Sequence, residues 1–107
     1  MVAFRVTLGQ GGQPSWWLCG VNDELLAWAG RYYVSLAFAR NEAAAFQSAA
    51  LRAEYQIYPH PAGGWGWRAV QPVDYFMAYS AGCFNKPAEA RRAARDVKTV
   101  AHRASGL

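Results

Sequence analysis

Hydrophobic and polar positions alternate with a period of two through most of this chain, and two stretches switch to a helical period. Residues 2–8 alternate, with Phe4, Val6 and Leu8 on one side, and predict a strand. Residues 9–14 are a loop by composition, since glycine supplies unusual φ angles and Pro14 lacks a ladder donor. Residues 15–21 predict a second strand, Asn22 and Asp23 a turn, and residues 24–29 a third strand. The stretch 31–38 is rich in aromatic and β-branched residues and reads equally as more strand or as a loop leading to a helix. Residues 39–53 are alanine-rich, uninterrupted by glycine or proline, and predict a helix with Ala39, Ala43, Phe46 and Ala50 on one face.

The pattern then restarts. Residues 55–58 predict a short strand, 59–64 a loop, 65–71 a strand with Trp65, Trp67 and Ala69 on one side, 72–74 a turn, and 75–84 a strand. Asn85 is the expected N-cap of a second helix reaching about Ala104, with Pro87 in its first turn and Glu89 complementing the positive helix end. Phe4 and Val6 superimpose on Tyr55 and Ile57, Trp17 on Trp67, residues 27–29 on 78–80, and Tyr33 on Phe84. The helices align at a shorter offset, Glu42 on Glu89, which implies extra residues around 34–38 in the first copy. The fold class expected is therefore α+β: two tandem βββα repeats, about 2–53 and 54–104, in one domain spanning 1–107. Neither unit buries both sides of a sheet alone, so the two are expected to share one mainly antiparallel sheet with both helices packed on one face. The other face is then open to solvent or to a partner.

The doubled pattern resembles the YegP-like family of uncharacterised proteins. The residues that carry the resemblance are Tyr55, Ile57, Trp65, Trp67, Arg68, then Ala78, Ser80, Gly82, Phe84 and Lys86, then Ala88 to Ala90 and Val97 with Lys98. The first copy matches more loosely through Phe4, Val6, Trp16, Trp17, Leu18, Asn22, Glu24 and residues 27–30. The resemblance implies tandem βββα units in one sheet, with helices exchanged between units, and implies no enzyme.

Composition sharpens this picture. The chain has 107 residues, 53% hydrophobic and 15% aromatic, enough apolar mass for a core without disulfides or metal. Only 17% of residues are charged, below the roughly 25% of an average domain, so the aromatics are either well buried or left as a contact surface. The net charge is +4, and its excess lies in the second copy. Cys19 and Cys83 match no ligand spacing and are expected as reduced thiols, although one bridge between them is left open. A secretory leader pattern and a membrane-spanning apolar run are both missing, so a cytoplasmic protein is expected.

The candidate chemistry is binding rather than catalysis. The predicted C-terminal helix sets an apolar stripe, Ala90, Ala93, Ala94, Val97, Val100, Ala101 and Ala104, against Arg91, Arg92, Arg95, Lys98, His102 and Arg103, diluted by Glu89 and Asp96. Such a face can track phosphates, and it is also the pattern of a solvated helix surface. Trp16, Trp28 and Tyr79 are candidate contact aromatics. Alternation puts Trp16 and Trp17 on opposite faces, whereas Trp65 and Trp67 share one and read as core. His60 and His102 stand alone, the carboxylates are scattered, the serines lack a nucleophile-elbow context, and Cys83 reads as a structural thiol. No enzyme, cofactor or metal is expected. The expectation is a small protein-binding module, accessory or inhibitory, using exposed aromatics and the basic helix face, or else a nucleic-acid binder using the basic helix. A monomer is expected, or a homodimer formed through an open sheet edge.

Overall fold

The computed structural model describes residues 1–71 and 75–107. The turn expected at 72–74 lies outside the described residues. Two copies of one unit follow each other: β1 (Ala3–Leu8), β2 (Pro14–Cys19), β3 (Leu25–Trp28) and α1 (Leu36–Ala49), then β4 (Glu54–Pro59), β5 (Trp65–Gln71), β6 (Tyr75–Ser80) and α2 (Pro87–Val100). Short 3-10 turns occupy Gln10–Gly12 and Ala101–Arg103. The six strands make one antiparallel sheet in the order β1-β2-β3-β6-β5-β4. The third strands of the two units meet at its centre, where Ala27 faces Ser80 and Trp28 faces Tyr79.

The repeat runs at a single offset of 51 residues. Leu36 and Pro87 open the two helices (87 − 36 = 51), and Ala49 and Val100 close them. The expected extra residues around 34–38 do not exist: α1 begins earlier than the alanine run suggested. Its start is set by Ser35, whose Oγ accepts from the Phe38 N–H at 3.0 Å and so satisfies one of the orphan donors of the first turn. The corresponding position is Lys86, not Asn85. There the Glu89 carboxylate accepts the Lys86 backbone N–H at 3.2 Å, and Pro87 fills the first helical position. The strand bulges repeat as well, between Leu18 and Cys19 and between Ala69 and Val70. Each bulge turns two successive residues of the third strand to the same side, which places both Met77 and Ala78 in the core.

Tryptophan equivalence also changes. Trp16, not Trp17, is the counterpart of Trp67, and both are fully buried beneath the helices. Core residues recur in pairs: Phe4 with Tyr55, Leu18 with Ala69, Ala43 with Ala94, Phe46 with Val97. In the first unit Trp16 stacks on Phe46 at 5.4 Å, and Phe4 meets both edge-on. Each of these rings removes a large apolar area from water, and together they anchor α1 over β1 and β2. In the second unit Tyr55 packs on Trp67 at 5.7 Å, and the smaller Val97 takes the place of Phe46.

Both helices lie on one face of the sheet, each over the two outer strands of its own unit and each touching the other unit's third strand. The helices are thus not exchanged between units. What crosses over is the segment after α2. Ala104 to Gly106 runs beside β1, where the Phe4 N–H donates to the Ser105 carbonyl at 2.7 Å and the Ser105 N–H donates to the Val2 carbonyl at 3.2 Å. Gln47 of α1 donates to the carbonyls of Ala101 and Ala104.

Candidate functional site

Two surfaces hold the candidate residues. The first is the sheet face that the helices leave uncovered. Register places one residue per strand in a row across it: Arg5, Trp17, Trp28, Tyr79, Arg68 and Gln56, from β1 to β4. Trp17, Trp28 and Tyr79 are partly exposed. Arg68 is held by its neighbours: its guanidinium lies over the rings of Phe76 and Tyr58, at 4.5 and 5.0 Å, and its Nε donates to the Gln56 side chain at 3.0 Å. Stacking of this kind fixes a long side chain in one orientation before anything binds. The Tyr58 hydroxyl is harder to ionise than a free tyrosine, chiefly because it is partly buried. Arg5, at the other end, pairs with Asp23 at 3.5 Å.

Trp17 stands between two shallow hollows on this face. One, about 260 Å³, is walled by Leu25, Trp28 and Tyr32; the other, about 290 Å³, by Arg5, Thr7, Leu8 and Gly9. Leu8 and Leu25 are each 54% exposed, which extends the apolar surface around Trp17. Gly30, at φ 79°, lies directly under the Tyr79 ring, so that a side chain there meets the ring and the backbone conformation is one that glycine alone adopts freely.

Trp28 and Tyr79 thus lie on the uncovered face, and Trp16 does not. With no exposed surface, Trp16 is a core residue, because its strand position points under α1 while Trp17 points away. Arg5, Trp17, Arg68 and Gln56 are the members of the row that the residue-type pattern did not single out. Alternation carried the signal for Trp17, and only the cross-strand register puts Arg68 beside Tyr79.

The second surface is the polar side of α2, and it divides the predicted cations. Arg91, Arg95 and Lys98 line a groove of about 240 Å³ between α2 and β4, together with Ala53, Glu54, Tyr55, Ile57 and Ala94. Lys98 Nζ lies 5.9 Å from the centre of the Tyr55 ring. Burial raises the Tyr55 hydroxyl pKa well above the ordinary value, and that hydroxyl donates to the Ala50 carbonyl at 2.8 Å. Arg92 lies on the other flank of the helix, in a hollow shared with Glu89 and Asp96. Arg103 is on the 3-10 turn beyond the helix.

Among the described residues no group of three or more His, Cys, Asp or Glu side chains has a metal-holding arrangement, and no helix is long and apolar enough to cross a membrane. Both cysteines are free. Cys19 is buried, but Cys83 is exposed, contrary to the structural role expected for it, because β6 ends at Ser80 and Cys83 falls in the loop that follows.

The doubled βββα sheet is a fold found in solved proteins. The chain is similar in structure to the UPF0339 protein SO3888 of Shewanella oneidensis, with a TM-score of 0.79 at 12% identity, covering 97% of this chain and 87% of that one. It is similar also to the yegP protein of E. coli, described as a protein of unknown function, with a TM-score of 0.78 at 14% identity, covering 97% and 89%. The YegP-like architecture expected from the tandem motifs is therefore the fold of this chain. No protein-family profile matches the sequence, and no curated protein does.

Proposed function

We propose that this protein is a non-catalytic binding module whose principal contact surface for a protein partner is the uncovered sheet face. The observation that supports this reading is the row of Trp17, Trp28 and Tyr79, flanked by Arg5 and Arg68, on a rigid sheet. Tryptophan, tyrosine and arginine are the residue types that carry most binding energy in protein interfaces, since each removes much apolar surface from water while keeping a polar group for orientation. The hollow beside Trp17 that Leu8 and Leu25 line suits an apolar anchor from a partner. The nucleic-acid reading has less support, because a phosphate track needs a continuous run of cations and those of α2 are split between two flanks and the turn beyond.

The test is affinity capture with the wild-type protein and with a Trp28→Ala, Tyr79→Ala double variant. A stoichiometric protein retained by the wild type and released by the variant supports the reading. Capture that survives the double substitution counts against it. So does tight binding of a generic single-stranded oligonucleotide that the same substitutions abolish, which reassigns the face to base stacking.

A further inference from the structure

The two units build the same groove between a helix and an outer strand, and among the described residues the chain itself fills one of the two. In the first unit the groove lies between α1 and β1. The extended segment Ala104 to Gly106 runs through it, held by the Phe4 N–H and the Val2 carbonyl along the strand edge, and by Gln47 and Arg40 from the helix. Arg40 donates to the Gly106 carbonyl at 3.3 Å, and Gln47 to the Ala104 carbonyl at 2.7 Å.

The second unit repeats the walls. At the offset of 51, Tyr55 stands for Phe4, Arg91 for Arg40 and Lys98 for Gln47, and these three line the groove of about 240 Å³ between α2 and β4. Trp65 exchanges backbone hydrogen bonds with Phe84, on the side of β5 away from β4, so Gly66, Arg68 and Val70 are the residues bonded towards β4. Their partners are Tyr58, Gln56 and Glu54, and the backbone groups of Tyr55 and Ile57 consequently point outward. β4 is an edge strand, and among the described residues no segment pairs with its outer side. Arg95, where the first unit has Ala44, adds a cation, and Glu54 is the one carboxylate in the lining.

We infer that this second groove binds an extended acidic peptide, which adds along β4 as residues 104–106 add along β1, with its carboxylates against Arg91, Arg95 and Lys98. Backbone pairing supplies affinity without sequence preference, and the cations select charge. The same cations oppose the other occupants. Pairing of two β4 edges brings two basic sets together, and the corresponding tail of a second copy carries His102 and Arg103.

The probe is a fluorescein-labelled peptide of about seven residues alternating threonine and glutamate, long enough to span the edge at ~3.3 Å per residue. Its fluorescence anisotropy is titrated with the full chain at low salt. Saturable binding is expected, weakened at least about tenfold by Arg91→Ala with Arg95→Ala and reduced as rising salt shortens the Debye length below ~10 Å. A peptide with proline at alternate positions is expected to lose at least about tenfold, since proline cannot donate to a strand. Amide resonances of Tyr55 and Ile57 are expected to shift on binding. Trp28→Ala with Tyr79→Ala leaves the binding unchanged, which separates this groove from the aromatic face. An absence of binding overturns the inference, as does equal affinity for the proline peptide, unchanged affinity in the arginine variant, or concentration-dependent dimerisation abolished by Ile57→Pro.

Discussion

The two helix–strand grooves differ in one respect that explains most of the asymmetry of this molecule. Both are made from residues 51 positions apart on the same backbone plan. In the first, the core side is filled by Phe46 stacked on Trp16 and the outer side by the chain's own residues 104–106. In the second, Val97 fills less of the core side, and cations line the outer side. Among the described residues, the segment that follows α2 closes the β1 edge, and none closes the β4 edge. The larger aromatic cluster lies in the first unit, and the cations available for contact lie in the second.

Substitutions at equivalent positions sharpen this contrast, and the core gives the largest effect. Phe46→Ala is expected to cost ~3–5 kcal/mol, since the Phe4 and Trp16 rings lose their common partner. Val97→Ala removes less buried surface and is expected to cost ~1–3 kcal/mol. Urea denaturation of both variants decides it, and equal losses break the comparison. Next comes Gly30→Ala, expected to cost ~1–3 kcal/mol through its positive φ and its contact with Tyr79. Its counterpart Ala81 already carries a side chain, so the first unit alone has this constraint. Near-ultraviolet circular dichroism should register the displaced ring.

Gln47→Ala is expected to cost ~1–2 kcal/mol, because two carbonyls of the closing segment lose their donor. Lys98→Ala, at the equivalent place in the open groove, is expected to stay within ~0.5 kcal/mol, as for most surface changes. Comparable losses at the two positions would mean that the second groove is also needed for the fold.

The smallest effect is a pH dependence. Tyr75 of β6 donates its hydroxyl to the Glu42 carboxylate of α1, a link between units with no counterpart at the 51-residue offset. Partial burial, and then the Glu42 carboxylate, push its pKa up to about 12 from 10.0. The neutral form is the one favoured in the folded state. Its contribution is therefore complete below pH 10 and is lost as pH rises from about 10 to 12. Burial shifts Tyr33, Tyr55 and Tyr58 in the same direction. Stability measured across this alkaline window should fall, and the slope should be shallower in Tyr75→Phe.

How much of this was legible in the sequence depends on the element. Most strands kept their place in the repeat: β5 was expected at 65–71 and spans Trp65–Gln71, and the equivalence of residues 27–29 with 78–80 holds at the 51-residue offset, whereas their pairing at the centre of the sheet was not foreseen. The helices did not. An alanine-rich run offers few landmarks along its length, so Glu42 aligned with Glu89 on residue identity, and the true start at Ser35 was hidden inside an aromatic stretch. Identity also misled at Trp17, because a tryptophan matched a tryptophan while burial required Trp16.

By itself the sequence determined the doubled βββα plan, the antiparallel sheet, and the faces of its helices. Each of these follows from local periodicity, which the side-chain pattern writes directly into the chain. Tertiary structure alone decided which of Trp16 and Trp17 the helices cover, that Arg68 joins the uncovered aromatics, and that the cations of α2 divide between two flanks. It also decided that residues 104–106 close one groove while its copy stays open. These are relations between segments far apart in the chain, and no local pattern encodes them.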